Sequence, residues 1–541
     1  MSTLTDQELR ATLYFAVGVT SESREDAYRL VVAGDKPATP LLETKGDSGY
    51  SIGTIQTDLG QHYQPNTPDG ENVPLDFVTA YQAWAQNNSE MRLTDEQVES
   101  TVSDLGRKGR AIKMDGGRPL DVTVKARLDA FLATDEGISW VHQRDVAQVN
   151  KLMASAIMPI TASRLFQNAS LEDQVRLTAV VGKVYNQNEV QGGKIVDAIA
   201  ANKYASVVEV NTAIDGIMRI SKDFYETGRR DALAGAEVVN TLRNASADNP
   251  MRAAWDAVLA DPLVNPTVLA NDRAHPDLPH QYAVIRNTFV NDSMAKGFIE
   301  ALERGGTYQR GQVERDHPEQ FKGAGFYAAG DDLVAWNTAG QGHSFIGSTW
   351  SSVERSNLTR QRAEDGVTTL NINENGQVRP LLKVDPHAPQ LRPAPAGPND
   401  PAHPDHTMLE QIREGVRKIG ANAGVPFDDN AERLCHSLLA ACKDNRDQYP
   451  GKNHPLAPNA LTRVDHVVSG PEHVFAVQGR LDDPAHLRAH VPVAQAMQTP
   501  IEQSDAKLMA ANQAISQEQA TIRQQTMQQS QAHSQAHARS V

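Results

Sequence analysis

Residues 385–406, DPHAPQLRPAPAGPNDPAHPDH, divide the chain. Proline at that density fixes φ and removes backbone donors, which excludes helix, disfavours sheet and leaves a semi-stiff extended spacer. Whatever lies on either side must bury a core of its own. The full length of 541 residues has room for roughly two to four such units. The expected division is 1–245 as a mostly helical domain, 246–385 as an accessory region without an assigned role, 386–406 as linker and 407–504 as a small α+β domain. Residues 505–541 form a Gln-rich tail with too few apolar residues to pack. The predicted fold class is α+β, mostly α-helical.

Apolar spacing predicts helices over Asp6–Val19, Glu22–Ala33, Leu75–Gln86, Thr94–Lys108, Val122–Ala133, Trp140–Ile157, Glu172–Tyr185, Gly193–Ala201, Ala205–Ala213 and Ala213–Leu242. Thr5 is the expected first N-cap, with Glu8 at the capping-box position. Helices are also predicted at Pro250–Leu259 and Asp292–Arg304, whereas Gly325–Thr349 is strand-like. Beyond the linker, helices at Met408–Ala421 and Asn430–Asp444 precede strands at Arg463–Val468 and Val474–Gln478, then a short helix.

A net charge of −15 argues against a general nucleic-acid binder, because phosphate binding needs a basic surface. No apolar run reaches membrane-spanning length. The N-terminus has neither a basic n-region nor a small-residue cleavage site, so the expectation is a chain made in the cytoplasm and not exported by a classical signal peptide. Cys435 and Cys442 are the only cysteines. Seven residues of helix hold them ~10 Å apart, too far for a disulfide, so they read as packed thiols. No cofactor is implied.

The stretch LLETKGDSGYSIGTIQTDLG (41–60) carries the candidate chemistry. Glu43 ends an apolar step before a polar-glycine turn and a predicted hairpin. A carboxyl kept protonated by apolar neighbours can donate to a glycosidic oxygen, and Leu41, Leu42 and Ile52 are the expected neighbours. Asp47 and Asp58 are candidates for the second carboxylate, and Ser51 with Thr54 for holding a water. Strand parity puts Thr54, Gln56 and Asp58 on one face. A plain alternative is that Asp47 and Ser48 only form a turn.

The segment resembles the hairpin of phage-type lysozymes through Gly49, Tyr50, Ser51, Ile52 and Gly53. It is also similar to soluble lytic transglycosylases through Glu43–Thr44 and Gly53-Thr54-Ile55-Gln56. Residues 177–207 resemble the groove-lining helices of the lysozymes at Tyr185, Asn186 and Asn202. Residues 224–239 resemble their closing helix at Gly228, Arg229, Arg230 and Glu237. The resemblance implies a lysozyme-like domain cutting the β-1,4 bond between N-acetylmuramic acid and N-acetylglucosamine in peptidoglycan. Glu43 would be the acid, with Tyr50, Gln56, Tyr185, Asn186 and Asn202 lining subsites. A retaining, inverting or lytic outcome stays open.

Histidines crowd the C-terminal part (His403, His406, His466, His473, His486, His490). His486 and His490 have helical i, i+4 spacing but no third ligand, so no metal is expected. His533 and His537 read as solvated. The pieces HTMLEQIREGV (406–416), ERLCHSLLAACKDN (432–445), DHVV…HVFAVQG (465–479), DPAH (483–486) and TPIEQS (499–504) resemble the C-terminal domain of antibacterial type IV secretion effectors of the Xanthomonas group. That resemblance implies recruitment by the coupling ATPase of the secretion channel, action in the periplasm of a target cell and a cognate immunity protein, without membrane insertion. Two other readings remain. One is a different hydrolase centred on Trp336, His343, Ser344 and Trp350. The other is a non-enzymatic adaptor.

Overall fold

The structure is a computed structural model. It describes residues 3–36, 39–67, 70–88, 90–217, 222–388, 397–400, 403–445, 456, 459–483, 486–501, 503–512 and 514–515, without the side chains of 217 and 222–226. The centre of the spacer (389–396, 401–402) and the tail from 516, with His533 and His537, lie outside these residues. Thr3–Arg392 forms one compact unit, and the chain from Pro393 forms a second.

In the first unit, α1 (Asp6–Ala11) opens on the expected capping box and runs on as a wider, π-type helix over Thr12–Ser23. Every residue from Ala11 to Thr20 is buried, so this helix has no solvent face and threads the interior. Helix was expected to stop at Val19 and restart over Glu22–Ala33. Instead it ends at Ser23, and the next element is a strand. Strands β1 (Val31–Val32), β2 (Tyr50–Ile52) and β3 (Thr57–Asp58) make an antiparallel sheet in that order. Val31 pairs with Ser51, and Ser51 with Asp58.

The helices that follow are α2 (Val73–Trp84), α3 (Asp95–Leu105), α4 (Gly109–Met114), α5 (Val122–Leu132), α6 (Asp135–Leu152), α7 (Met158–Thr161), α8 (Arg164–Asn168), α9 (Leu171–Gln187), α10 (Glu189–Ala200), α11 (Val207–Ile217) and α12 (Lys222–Asn244). Next come α13 (Pro250–Ala260), α14 (Pro266–Leu269), α15 (Leu278–Val290) and α16 (Asp292–Glu303). A meander closes the unit: β4 (Thr307–Val313), β5 (Phe321–Ala329), β6 (Asp332–Trp336), β7 (Gln341–Ile346) and β8 (Thr349–Glu354) in one sheet, then β9 (Leu358–Arg362), β10 (Thr368–Glu374) and β11 (Gln377–Val384) in another.

One apolar cluster runs from Leu4 to Trp350. At its centre Phe15 stacks on Phe289 at 5.0 Å and meets Trp255 at 5.8 Å and Tyr282 at 5.7 Å. The break expected after residue 245 therefore falls inside a core, because α13 and α15 supply the far wall of the first helix. A second cluster, with Tyr50, Phe77, Tyr81 and Phe131, lies between the small sheet and α2–α6. A third fills the meander around Tyr327 and Trp336.

The second unit holds α17 (His406–Ala423), α18 (Asp429–Lys443), the sheet β12 (His466–Ser469), β13 (His473–Gln478) and β14 (Leu487–Pro492), and α19 (Val493–Gln498). A third strand takes Leu487–Pro492, so His490 sits on a sheet, stacked on Phe475, and the short helix expected after the strands follows as α19. Cys435 and Cys442 are buried free thiols, each pushed up to about 12 by burial. A charged chain ties the unit together. Arg413 pairs with Glu432, and fully buried His436 holds Asp505 Oδ1 through Nδ1 at 2.5 Å. Asp505→Ala strands that nitrogen and is expected to weaken the unit by about 1–3 kcal/mol. Hydrogen exchange of α18 and 503–512 in the full chain checks this, and unchanged protection would contradict it.

Candidate functional site

The residues expected to act with Glu43 are not gathered around it. Glu43 lies in the long connection between β1 and β2, exposed and ion-paired with Lys36 at 2.6 Å. It edges an open groove of about 700 Å³ formed by Thr39–Thr44, Lys113, Gly116 and Gly117. Leu41 is itself exposed, and Ile52 is buried in the core under the sheet. Leu42 lines the same groove, but the Glu43 side chain is half exposed and its carboxyl is open to solvent.

Asp47 accepts from the Arg110 N–H at 2.8 Å through Oδ1 and so steadies the start of α4. Asp58 accepts from the N–H groups of Gly49 and Gly60 at 3.1 and 2.9 Å, and burial pushes its carboxyl up against those bonds. Tyr50 is buried and its hydroxyl accepts from Leu120 N–H at 2.7 Å, while Ser51 is buried in the sheet. Asn202 accepts from Arg164 N–H at 2.6 Å. These five residues hold backbone or fill the interior. The hairpin is also shorter than parity assumed. Residues 53–56 are its turn, so Thr54 points inward to Tyr14, hydroxyl to hydroxyl at 3.3 Å, and does not share a face with Gln56.

Two of the expected residues do converge, around a different carboxylate. Glu22 closes the central helix with its side chain 15% exposed. Lys183 Nζ of α9 lies 2.7 Å from Glu22 Oε1 and is almost wholly buried. Asn186 Nδ2 donates to the same oxygen at 2.9 Å and to Ile55 O of the hairpin tip at 3.2 Å. Gln148 of α6 donates to Asn186 Oδ1 at 2.9 Å. Gln56 flanks the tip, its own amide tied back to Gly53 O. Tyr185 is half-buried one residue before Asn186. Among the described residues, Glu22 Oε2 accepts no hydrogen bond.

The local chain is shaped for this. Any Cβ at Gly228 of α12 would come within 2.4 Å of Lys183 Cε, so glycine there leaves the channel for the lysine stem. Ser21 Oγ donates to Gly228 O at 2.8 Å and pins the helix end. Beside Gly228, Arg229 pairs with Asp215 at 2.5 Å, and Glu237 with Arg176 at 2.6 Å. Arg24, directly after the helix, has φ 48 and ψ −106, and Gln56 has φ 58. Non-glycine residues in such conformations cost about 1–3 kcal/mol each and gather at functional sites. Arg24 is held by Val290 O at 3.0 Å and reaches Asp292 at 3.6 Å and Asp231 at 3.9 Å.

The second candidate centre is of another kind. His343 Nδ1 faces His280 Nδ1 at 2.9 Å, and burial pushes His343 down to about 4. Ser344 is buried on β7, turned from His343 by strand alternation, and Trp336 and Trp350 are core residues. No nucleophile–base pair forms there.

Glu22 was missed because the sequence seemed to begin a new helix at that residue. The apolar run Leu13–Val19 was the available signal. A helix with no polar face ends inside its domain, and a carboxylate at that end meets the interior.

No helix of the described residues is long and apolar enough to cross a membrane. No curated protein matches the chain. A family model described as X-Tfes, XVIPCD matches residues 399–510, the stretch that folds as the second unit. Residues 399–510 are therefore the C-terminal domain of a type IV secretion effector.

Proposed function

We propose that the first unit cleaves the glycan strands of peptidoglycan with Glu22 as its proton-transferring carboxyl. The second unit would deliver it, through the coupling ATPase of a type IV channel, to the periplasm of a competing cell. One observation carries this reading: a carboxylate closes a buried helix against a hairpin tip, with one oxygen held and the other unheld among the described residues. Glycosidic cleavage needs a proton delivered to the leaving oxygen as the bond to the sugar breaks, and then a water or a sugar hydroxyl to capture the glycosyl cation. Lys183 and Asn186 fix Oε1, so Oε2 is the oxygen that gives up and regains the proton. Gln56 and Gln148 lie beside this centre and carry amide groups of the kind that bind hydroxyl and N-acetyl groups, and the acidic net charge does not hinder a neutral glycan.

The test is mass spectrometry of material released from purified peptidoglycan by the full chain. Disaccharide-peptides with reducing ends support hydrolysis, and anhydro ends support the lytic route. Freed peptides on intact glycan strands, or no release, would overturn the proposal.

A further inference from the structure

A fully buried carboxylate behind the hairpin tip has no part in the chemistry above. Asp145 of α6 is 0% exposed. Its Oδ2 accepts from Thr54 N–H at 2.9 Å and its Oδ1 from Ile55 N–H at 3.1 Å. Gly53 enters the turn at φ +90, and any Cβ there would lie 2.5 Å from Asp145 Oδ1, so the turn is built around this carboxyl. The chain of contacts continues outward. Ile55 O accepts from Asn186, whose same amide nitrogen donates to Glu22.

We propose that Asp145 is a positioning residue for Glu22, acting through the hairpin tip and Asn186, and that this latch is fastened only while Asp145 is ionised. The inference rests on the glycan-cleavage reading. A carboxylate accepts at both oxygens, whereas the protonated acid turns one of them into a donor and faces it towards an N–H. One of the two bonds is then lost, and the tip loosens.

The groups facing Asp145 set when this happens. Tyr14 comes from the central helix, Thr54 from the hairpin, and Arg286 from α15. Tyr28 and Tyr282 complete the surroundings of Tyr14 and Arg286. All three tyrosines are pushed up by burial and stay neutral. Arg286 and the hydrogen bonds favour the carboxylate, but burial outweighs them and pushes Asp145 up to about 6. The folded chain then binds this proton more tightly than the unfolded chain. Its contribution to stability falls as pH rises from 3.8 to about 6 and is level above that. The latch and the stability term thus run in opposite directions: fastening the tip at neutral pH costs folding energy.

The experiment is a pH titration of the full chain, labelled with 15N at Thr and Ile, by TROSY NMR. The Thr54 and Ile55 amides are expected to shift together with a midpoint near the Asp145 value of about 6. Asp145→Asn should abolish the shift. Glycan release should follow the same midpoint, with kcat falling about tenfold on the acid side and KM nearly constant. Asp145→Asn should lower kcat and flatten that step. Flat amides in the wild type, with glycan release intact, overturn the latch alone and need no variant that folds. So does wild-type kcat and pH profile in Asp145→Asn. Titrating amides without glycan release at any pH overturn the glycan reading, and the positioning role with it.

Discussion

On the glycan-cleavage reading, Glu22→Gln is expected to abolish the release of glycan fragments, with a loss of at least about a hundredfold, the usual size of a general acid–base contribution. Glu43→Gln is expected to leave the rate within a factor of about two, because it breaks only an exposed ion pair with Lys36. Gln at position 22 keeps an oxygen to accept from Lys183 and Asn186 but removes the countercharge of a buried ammonium, so a loss of stability of about 3–5 kcal/mol is expected beside the loss of activity. Circular dichroism that shows a folded chain at the assay temperature is the control. The pair of variants is informative because both residues are glutamates preceding part of the same sheet. Loss of activity in Glu43→Gln with retention in Glu22→Gln would move the site to the groove beside α4. Full activity in both would exclude both glutamates as the acid.

The contrast between these glutamates also shows what a sequence can and cannot carry here. Helix and strand identity follow local patterning, so α2, α3, α17, α18 and the β5–β7 stretch fall where periodicity put them. The hairpin motif was legible as well, since Gly53 is demanded by the turn itself. The identity of the carboxylate was not. Sequence proximity favoured Glu43, seven residues before Tyr50, whereas the fold inserts residues 33–49 as a connection between β1 and β2 and pushes Glu43 outward. Glu22 reaches the hairpin tip through α9, by contacts 131 and 164 residues apart in the chain. Burial of Lys183 gave no local signal, because a lysine amid VVGKVYNQ reads as a solvated position until Gly228 opens space for it. In the C-terminal unit, the third strand LRAHVP was hidden because two histidines at helical spacing suggested a helix. Its pairing with β13 decides otherwise.

Phe15→Ala is expected to lower the stability of the first unit by about 3–5 kcal/mol. Phe15 is fully buried, and three of its ring partners, Trp255, Tyr282 and Phe289, come from beyond residue 245. All five tryptophans lie before residue 351, so urea unfolding followed by their fluorescence reports this unit alone. The prediction is one transition, displaced as a whole, with Trp84 and Trp140 moving together with Trp336 and Trp350. The same packing predicts that residues 1–245 expressed alone lack a cooperative transition, because the central helix would expose the face that α13 and α15 cover. A cooperative, glycan-cleaving 1–245 fragment would refute this and restore a boundary at that point. The consequence reaches the chemistry. Arg24 is held by Val290 O and Asp292, so the strained turn after Glu22 is braced by the region that sequence alone left without a role. Removing 246–385 should therefore silence the site even though no proton passes through that region.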